Sequence, residues 1–230
     1  MPLVVALCTG NAARSVMAGA LLARDPDIVV ETRGTHVVEG LPMSLRTRTA
    51  LSALGVDGHV HRSQQLTDAD VEAADVVLAM AREHVQYVRR IHPEAAARTA
   101  TLKRLARDLQ PGPEPLRERI AALRLDRVAL EHWEDVEDPA GGDDDVFHEC
   151  AGQIRDLLHR LAPALQETER RRGRTPGTPE RSRPGEQETE RSRPGEQETE
   201  RSRPGEQETE RSRPGEQETE RRRPGEREAG

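Results

Sequence analysis

Near its start the chain carries a thiol and a guanidinium five residues apart, Cys8-Thr9-Gly10-Asn11-Ala12-Ala13-Arg14-Ser15. A cysteine is a nucleophile only as its thiolate, which is the form favoured by surrounding backbone N–H groups and positive charge. An arginine offers a planar fork that matches two oxygens of a phosphate or arsenate. Gly10 and Asn11 between them suit a tight loop whose amides converge on one anion. The chemistry implied is attack by sulfur on the phosphorus or arsenic of an oxyanion cradled above it. Breaking a phosphate monoester also needs an acid for the departing oxygen. Among many carboxylates, Asp138 has the distinctive setting, Glu137-Asp138-Pro139-Ala140-Gly141-Gly142. A proline fixes the backbone after it and two glycines permit a tight loop. By itself it reads as either a general acid or an ordinary turn aspartate.

The elements flanking the loop agree with this chemistry. Leu3-Val4-Val5-Ala6-Leu7 is an apolar run of the kind found in a buried parallel strand. Met17, Leu21 and Leu22 follow at helical spacing, with a stop at Asp25-Pro26. Strand, tight loop and helix N-terminus together aim N–H groups and the positive helix end at one point. Further on, strands are expected at 28–32, 75–80 and 99–102, the first ending in the turn Arg33-Gly34-Thr35. Helices are expected after Ser44 up to Gly55, over 68–74 behind Thr67, and over 82–91, 103–109 and 116–130. Last comes the clearest helix, with Phe147, Cys150, Ala151, Ile154, Leu157, Leu158, Leu161 and Leu165 in one stripe behind the acidic Asp143-Asp144-Asp145. Cys150 falls inside that stripe and reads as core. The alternation predicts an α/β domain over 1–166, a three-layer flavodoxin-like fold with a four-stranded parallel sheet.

Charged residues make up 33% and aromatics 1% of 230 residues, a composition skewed by the C-terminal tract. From Arg181 the decapeptide RSRPGEQETE occurs four times and ends in the variant RRRPGEREAG. It brings no apolar face to bury, so 167–230 is expected to be a disordered low-complexity tail rather than a solenoid. A net charge of −7 gives no reason to expect nucleic acid or an anionic membrane as partner. No apolar run reaches membrane-spanning length, and because the core segment begins at residue 3 no signal peptide is expected before it. Two separated cysteines suit a reducing cytoplasm. His and Cys show no metal-ligand spacing, and no cofactor is expected.

The segment from Cys8 to Ser15, continuing Val16-Met17-Ala18, resembles the active-site loop of the low-molecular-weight protein tyrosine phosphatases and their arsenate reductase relatives. Thr32 to Thr35, His61 to Thr67 and Asp75 to His84 are similar to later segments of that family. The resemblance implies Cys8 as the nucleophile that forms a phosphocysteine. It implies that Arg14 and the backbone of Thr9, Gly10, Asn11, Ala12, Ala13, Arg14 and Ser15 bind the phosphoryl oxygens. Asp138 is then the acid, and afterwards the base for the releasing water. By the same resemblance Ser15 hydrogen-bonds the thiolate and Asn11 holds the loop's shape. His61 by itself reads as a surface or hydrogen-bonding side chain.

The chain departs from the pattern in places. Ala13 stands where many relatives carry a second cysteine, Val16 replaces a frequent proline, and Ala140 an aromatic. His36 to Met43, similar to the substrate-facing loop, holds no Phe, Tyr or Trp to stack on a phosphotyrosine ring. The expected function is a cysteine-dependent phosphatase acting on a phosphorylated protein, with phosphotyrosine first, or on a small phosphate ester, as a monomer or weak dimer. Two alternatives stay open: an arsenate reductase using an external thiol, suggested by Glu131-His132-Trp133 ahead of Asp138, and a phosphate-binding module without turnover.

Overall fold

The computed structural model describes residues 1–57 and 60–166; the decapeptide repeats and the expected tail lie outside the described residues. The first strand, β1 (Leu3–Cys8), is buried from Val4 onward. It lies between β2 (Val29–Gly34) and β3 (Val76–Ala79), and β4 (Thr99–Thr101) lies beyond β3. All pairings are parallel, in the order β2-β1-β3-β4. Helices cover both faces of such a sheet, which is why β1 and β3 are apolar throughout rather than alternating. Side chains of β1 still alternate in direction. Val4, Ala6 and Cys8 join a core with Val16, Met17, Ile154 and Leu158, whereas Val5 and Leu7 join one with Val71, Val77 and Val88. The first core packs α1 (Arg14–Leu22), α2 (Leu45–Ala53), α5 (Leu102–Asp108) and α7 (Asp144–Leu165). The second contains Val71 of α3 (Asp68–Ala73) and Val88 of α4 (Arg82–Ile91).

Local signals place most element ends. The Ser44 hydroxyl accepts from Thr47 N, Thr67 forms a capping box with Asp70, and Asp143 accepts from Val146 N. Gly55 takes φ +71° just after α2, a left-handed conformation that glycine adopts without strain. Two expectations need correction. The second strand runs to Gly34, because Gly34 pairs with Cys8 and its N–H bonds Gln64 O. The helix expected over 116–130 is α6 (Leu116–Ala122) alone. Two residues past its end Arg124 takes φ +51°, and Arg89 donates to the carbonyls of Leu125 and Val128 beyond. Those carbonyls are satisfied across the fold and not by a continuing helix.

The sheet order diverges at β1, since β1 is followed by a neighbour on one side and then by one on the other. Open α/β sheets bind ligands at this point, beyond the carboxyl ends of the strands. Cys8 is the last residue of β1, so the thiol sits at the divergence.

Candidate active site

Between β1 and α1 the chain turns through Thr9–Ala13, and α1 begins at Arg14. Asn11 makes the turn possible: it takes φ +50°, where asparagine is one of the few tolerant residues. Three bonds hold it there. Its Nδ2 donates to Ser15 Oγ at 2.9 Å, its Oδ1 accepts from Gln64 N at 2.9 Å, and its carbonyl lies 2.7 Å from His61 Nε2. Thr47 Oγ1 donates to the carbonyl of Ala12 at 3.1 Å. The C-terminal end of β2 presses on the loop: Thr35 N and His36 N bond the carbonyls of Cys8 and Thr9. A Cβ at Gly34 would lie 2.6 Å from Thr9 O and 2.9 Å from Asn11 N, so only glycine permits this approach.

Inside the loop, Cys8 Sγ lies 3.0 Å from Ser15 Oγ, and both are buried. Arg14 is buried as well, its Nη1 donating to Val136 O at 3.2 Å and its Nη2 meeting Asp138 Oδ2 at 2.6 Å. The structure therefore brings together Cys8, Arg14, Ser15 and, from 124 residues later, Asp138. Asp138 is about half exposed, at the mouth above the guanidinium.

The segment leading to Asp138 is anchored at several points. Val136 N bonds Met80 O at the end of β3, and Asp135 accepts from Arg82 N at 2.7 Å and from its guanidinium. Just before it, fully buried Glu134 pairs with Arg104 and also accepts from Thr101 Oγ1 and Glu131 N. Burial alone would raise the carboxyl pKa of Glu134, but bonds from Arg104, Glu131 and Thr101 outweigh it and hold the pKa below the usual range. The same contest, decided by Arg82, lowers that of Asp135.

Sequence patterns did not reveal the other side of the mouth. His84 is buried; Ala81 N donates to its Nδ1 at 3.0 Å, so the ring proton sits on Nε2 and is donated to Thr9 Oγ1 at 3.0 Å. Burial, with the charge of Arg14 adding to it, pushes the His84 pKa down to about 3. Thr9 Oγ1 passes its own proton to Glu83 Oε1 at 3.1 Å and receives a long contact from Arg14 Nη2 at 3.5 Å. Tyr87, one turn along α4, stands edge-on to His36 at 5.7 Å between ring centres. Thr9, Thr35, His36, Glu83, Tyr87 and Arg90 line a recess of about 230 Å³ beside the loop. The expectation of a mouth without an aromatic wall is thus corrected: the ring comes from α4, not from the segment 36–43.

Elsewhere, Cys150 lies in the core stripe as expected, its Sγ 3.8 Å from Glu137 O, and burial pushes its thiol pKa up to about 11. Trp133 is partly exposed beneath Arg107, whose guanidinium carbon lies 4.1 Å from the ring centre. Sequence spacing suggested no metal ligands, yet among the described residues Asp68, His92 and Glu94 bring ligand atoms within 4.8 Å of one another. There His92 Nδ1 is already 2.8 Å from Asp68 Oδ1. No described helix is long and apolar enough to cross a membrane.

Comparison with known proteins agrees with the geometry. Residues 3–171 match the family described as low molecular weight phosphotyrosine protein phosphatase. A protein-arginine-phosphatase of Geobacillus stearothermophilus is 30% identical over 165 residues, 71% of this chain and 95% of that protein. A probable low molecular weight protein-tyrosine-phosphatase EpsP of Ralstonia nicotianae is 34% identical over 103 residues, 44% of this chain and 69% of that protein. The solved YwlE arginine phosphatase of Geobacillus stearothermophilus superposes with a TM-score of 0.57 at 29% identity, covering 70% of this chain and 91% of that one. A low molecular weight protein tyrosine phosphatase from T. tengcongensis superposes equally well, again at 29% identity and 70% of this chain, with 98% of that one covered. This chain therefore belongs to the low molecular weight phosphotyrosine protein phosphatase family and is a cysteine-dependent hydrolase of phosphate monoesters.

Proposed function

We propose that this protein removes the phosphoryl group from phosphorylated side chains of other proteins, with Cys8 as nucleophile, Arg14 as oxyanion holder and Asp138 as acid and then base. The observation that carries this assignment is the convergence of Cys8 Sγ, Arg14 and Asp138 around one loop whose shape Asn11 holds. In the first step an S–P bond forms as the bond from phosphorus to the leaving atom breaks, and the Asp138 proton goes to that atom. The loop amides and Arg14 stabilise the charge on the equatorial oxygens. Ser15 Oγ, 3.0 Å from the sulfur, donates to it when it leaves in the second step. There water attacks phosphorus, Asp138 takes its proton and the S–P bond breaks.

Arsenate reduction through an internal cysteine relay fits poorly: the other cysteine, Cys150, is buried with a pKa raised to about 11, which leaves little thiolate at neutral pH, so a reductase of this chain would need an external thiol. Hydrolysis of aryl phosphate by the full chain, its loss in Cys8→Ser, and a phosphate adduct on Cys8 in rapidly quenched Asp138→Ala by intact mass test the assignment. Arsenite production dependent on added thiol, without aryl phosphate turnover, overturns it. So does phosphate binding without any turnover.

A further inference from the structure

We propose that Glu83 is a specificity-determining residue that favours phosphoryl groups leaving from a cationic side chain, as in phosphoarginine, over those leaving from a phenol. This inference rests on the phosphatase reading of the loop and adds what that loop takes.

Glu83 follows the first residue of α4, whose entry is fixed by the bond from Ala81 N to His84 Nδ1. Its Oε1 lies 3.1 Å from Thr9 Oγ1 and 3.3 Å from His84 Nε2, so one carboxylate oxygen is anchored to the residue after the nucleophile. Yet the side chain is 64% exposed, and its charge stands over the recess. Tyr87 lies one turn later, at the i+4 position that shares its face. A carboxylate beside an aromatic ring is a setting that suits a guanidinium, which pairs with the one and packs on the other.

The charge balance at the mouth points the same way. Glu83 and Glu137 line the hollow around Arg14, whereas the cations there are already paired, Arg14 with Asp138 and Arg82 with Asp135. Arg90 lines the outer recess and is the opposing charge. A phenol leaves with negative charge building on its oxygen, which Glu83 opposes. In phosphoarginine the P–N bond breaks as S–P forms, and the Asp138 proton goes to the departing nitrogen. The guanidinium leaves as a cation, which Glu83 stabilises throughout.

The test uses the full chain and one peptide carrying either phosphoarginine or phosphotyrosine, with kcat/KM measured for wild type and Glu83→Gln. The glutamine keeps shape and removes charge. The expected result is a fall of about fivefold or more in the ratio of phosphoarginine to phosphotyrosine turnover, the scale of one partly exposed ionic contact. Raising the salt narrows the wild-type ratio and leaves that of the variant little changed. A ratio unchanged by the substitution, or equal losses on both peptides, overturns the inference while leaving the phosphatase assignment intact. A wild-type protein that turns over neither peptide overturns both.

Discussion

His84 gives the sharpest test of the electrostatics behind the loop. Its pKa is held at about 3 by burial and by Arg14, against an unfolded value of about 6.5. Between these two values the unfolded chain binds a proton that the folded chain refuses. Stability contributed by neutral His84 is therefore complete above about pH 6.5 and declines as the pH falls toward 3. The slope approaches about 1.4 kcal/mol per pH unit, so between pH 7 and pH 5 the protein loses about 2 kcal/mol from this residue alone. That is a large share of the roughly 5–15 kcal/mol by which domains are stable. Carboxylates with lowered values, such as Glu134 and Asp135, add little in this window, because they stay ionised in both states down to about pH 5. Urea unfolding from pH 7.5 to 5 measures the loss. His84→Asn retains an acceptor for Ala81 N and has nothing to titrate, so its curve is flatter over the same range even though its absolute stability is lower. The imidazole resonances of His84 stay in the neutral form down to about pH 4. An imidazole that titrates near its ordinary value, or equal slopes in the two proteins, refutes the reasoning.

Three further outcomes follow from the same contacts. Asp138→Asn lowers kcat by roughly 10²–10⁴-fold on an ester with a poor leaving group and much less on an activated aryl phosphate; stopped assays on the two substrates separate an acid from a structural ion pair to Arg14. Gly34→Ala forces a methyl group against Thr9 O and Asn11 N, so kcat/KM collapses while circular dichroism shows the sheet retained; an active variant would contradict the close approach. Glu134→Ala leaves Arg104 buried without its partner and costs about 3–5 kcal/mol by denaturant titration. In wild type, the contribution of Glu134 is present above about pH 4 and is lost as pH falls through its lower folded-state value, an acid limb that the variant lacks.

Much of the site was legible along the chain, because its decisive parts are contiguous. The apolar run into Cys8, the spacing to Arg14 and the helical pattern behind it lie within a few turns of one another, where local rules of strand, loop and helix N-terminus apply. The Pro and Gly neighbours of Asp138 marked it as a candidate acid or a turn aspartate, and only the fold sets it 2.6 Å from Arg14. Element ends failed where a distant partner overrode the local pattern. The apolar periodicity over 116–130 looked helical, but Arg124 leaves the helical region and Arg89 takes the carbonyls that follow.

The amino-acid sequence by itself determined the parallel sheet, the turn after its first strand and the types of residue placed there, since each depends on neighbours in the chain. Only the tertiary structure decided the surroundings. The bonds from Thr9 to Glu83 and His84, the approach of Gly34 to the loop and the anchoring of 131–136 by Arg82 and Arg104 join residues far apart in the chain. Such pairs leave no periodic trace, because packing and charge compensation act through space, and it is these that set the protonation of His84 and the charge facing a substrate.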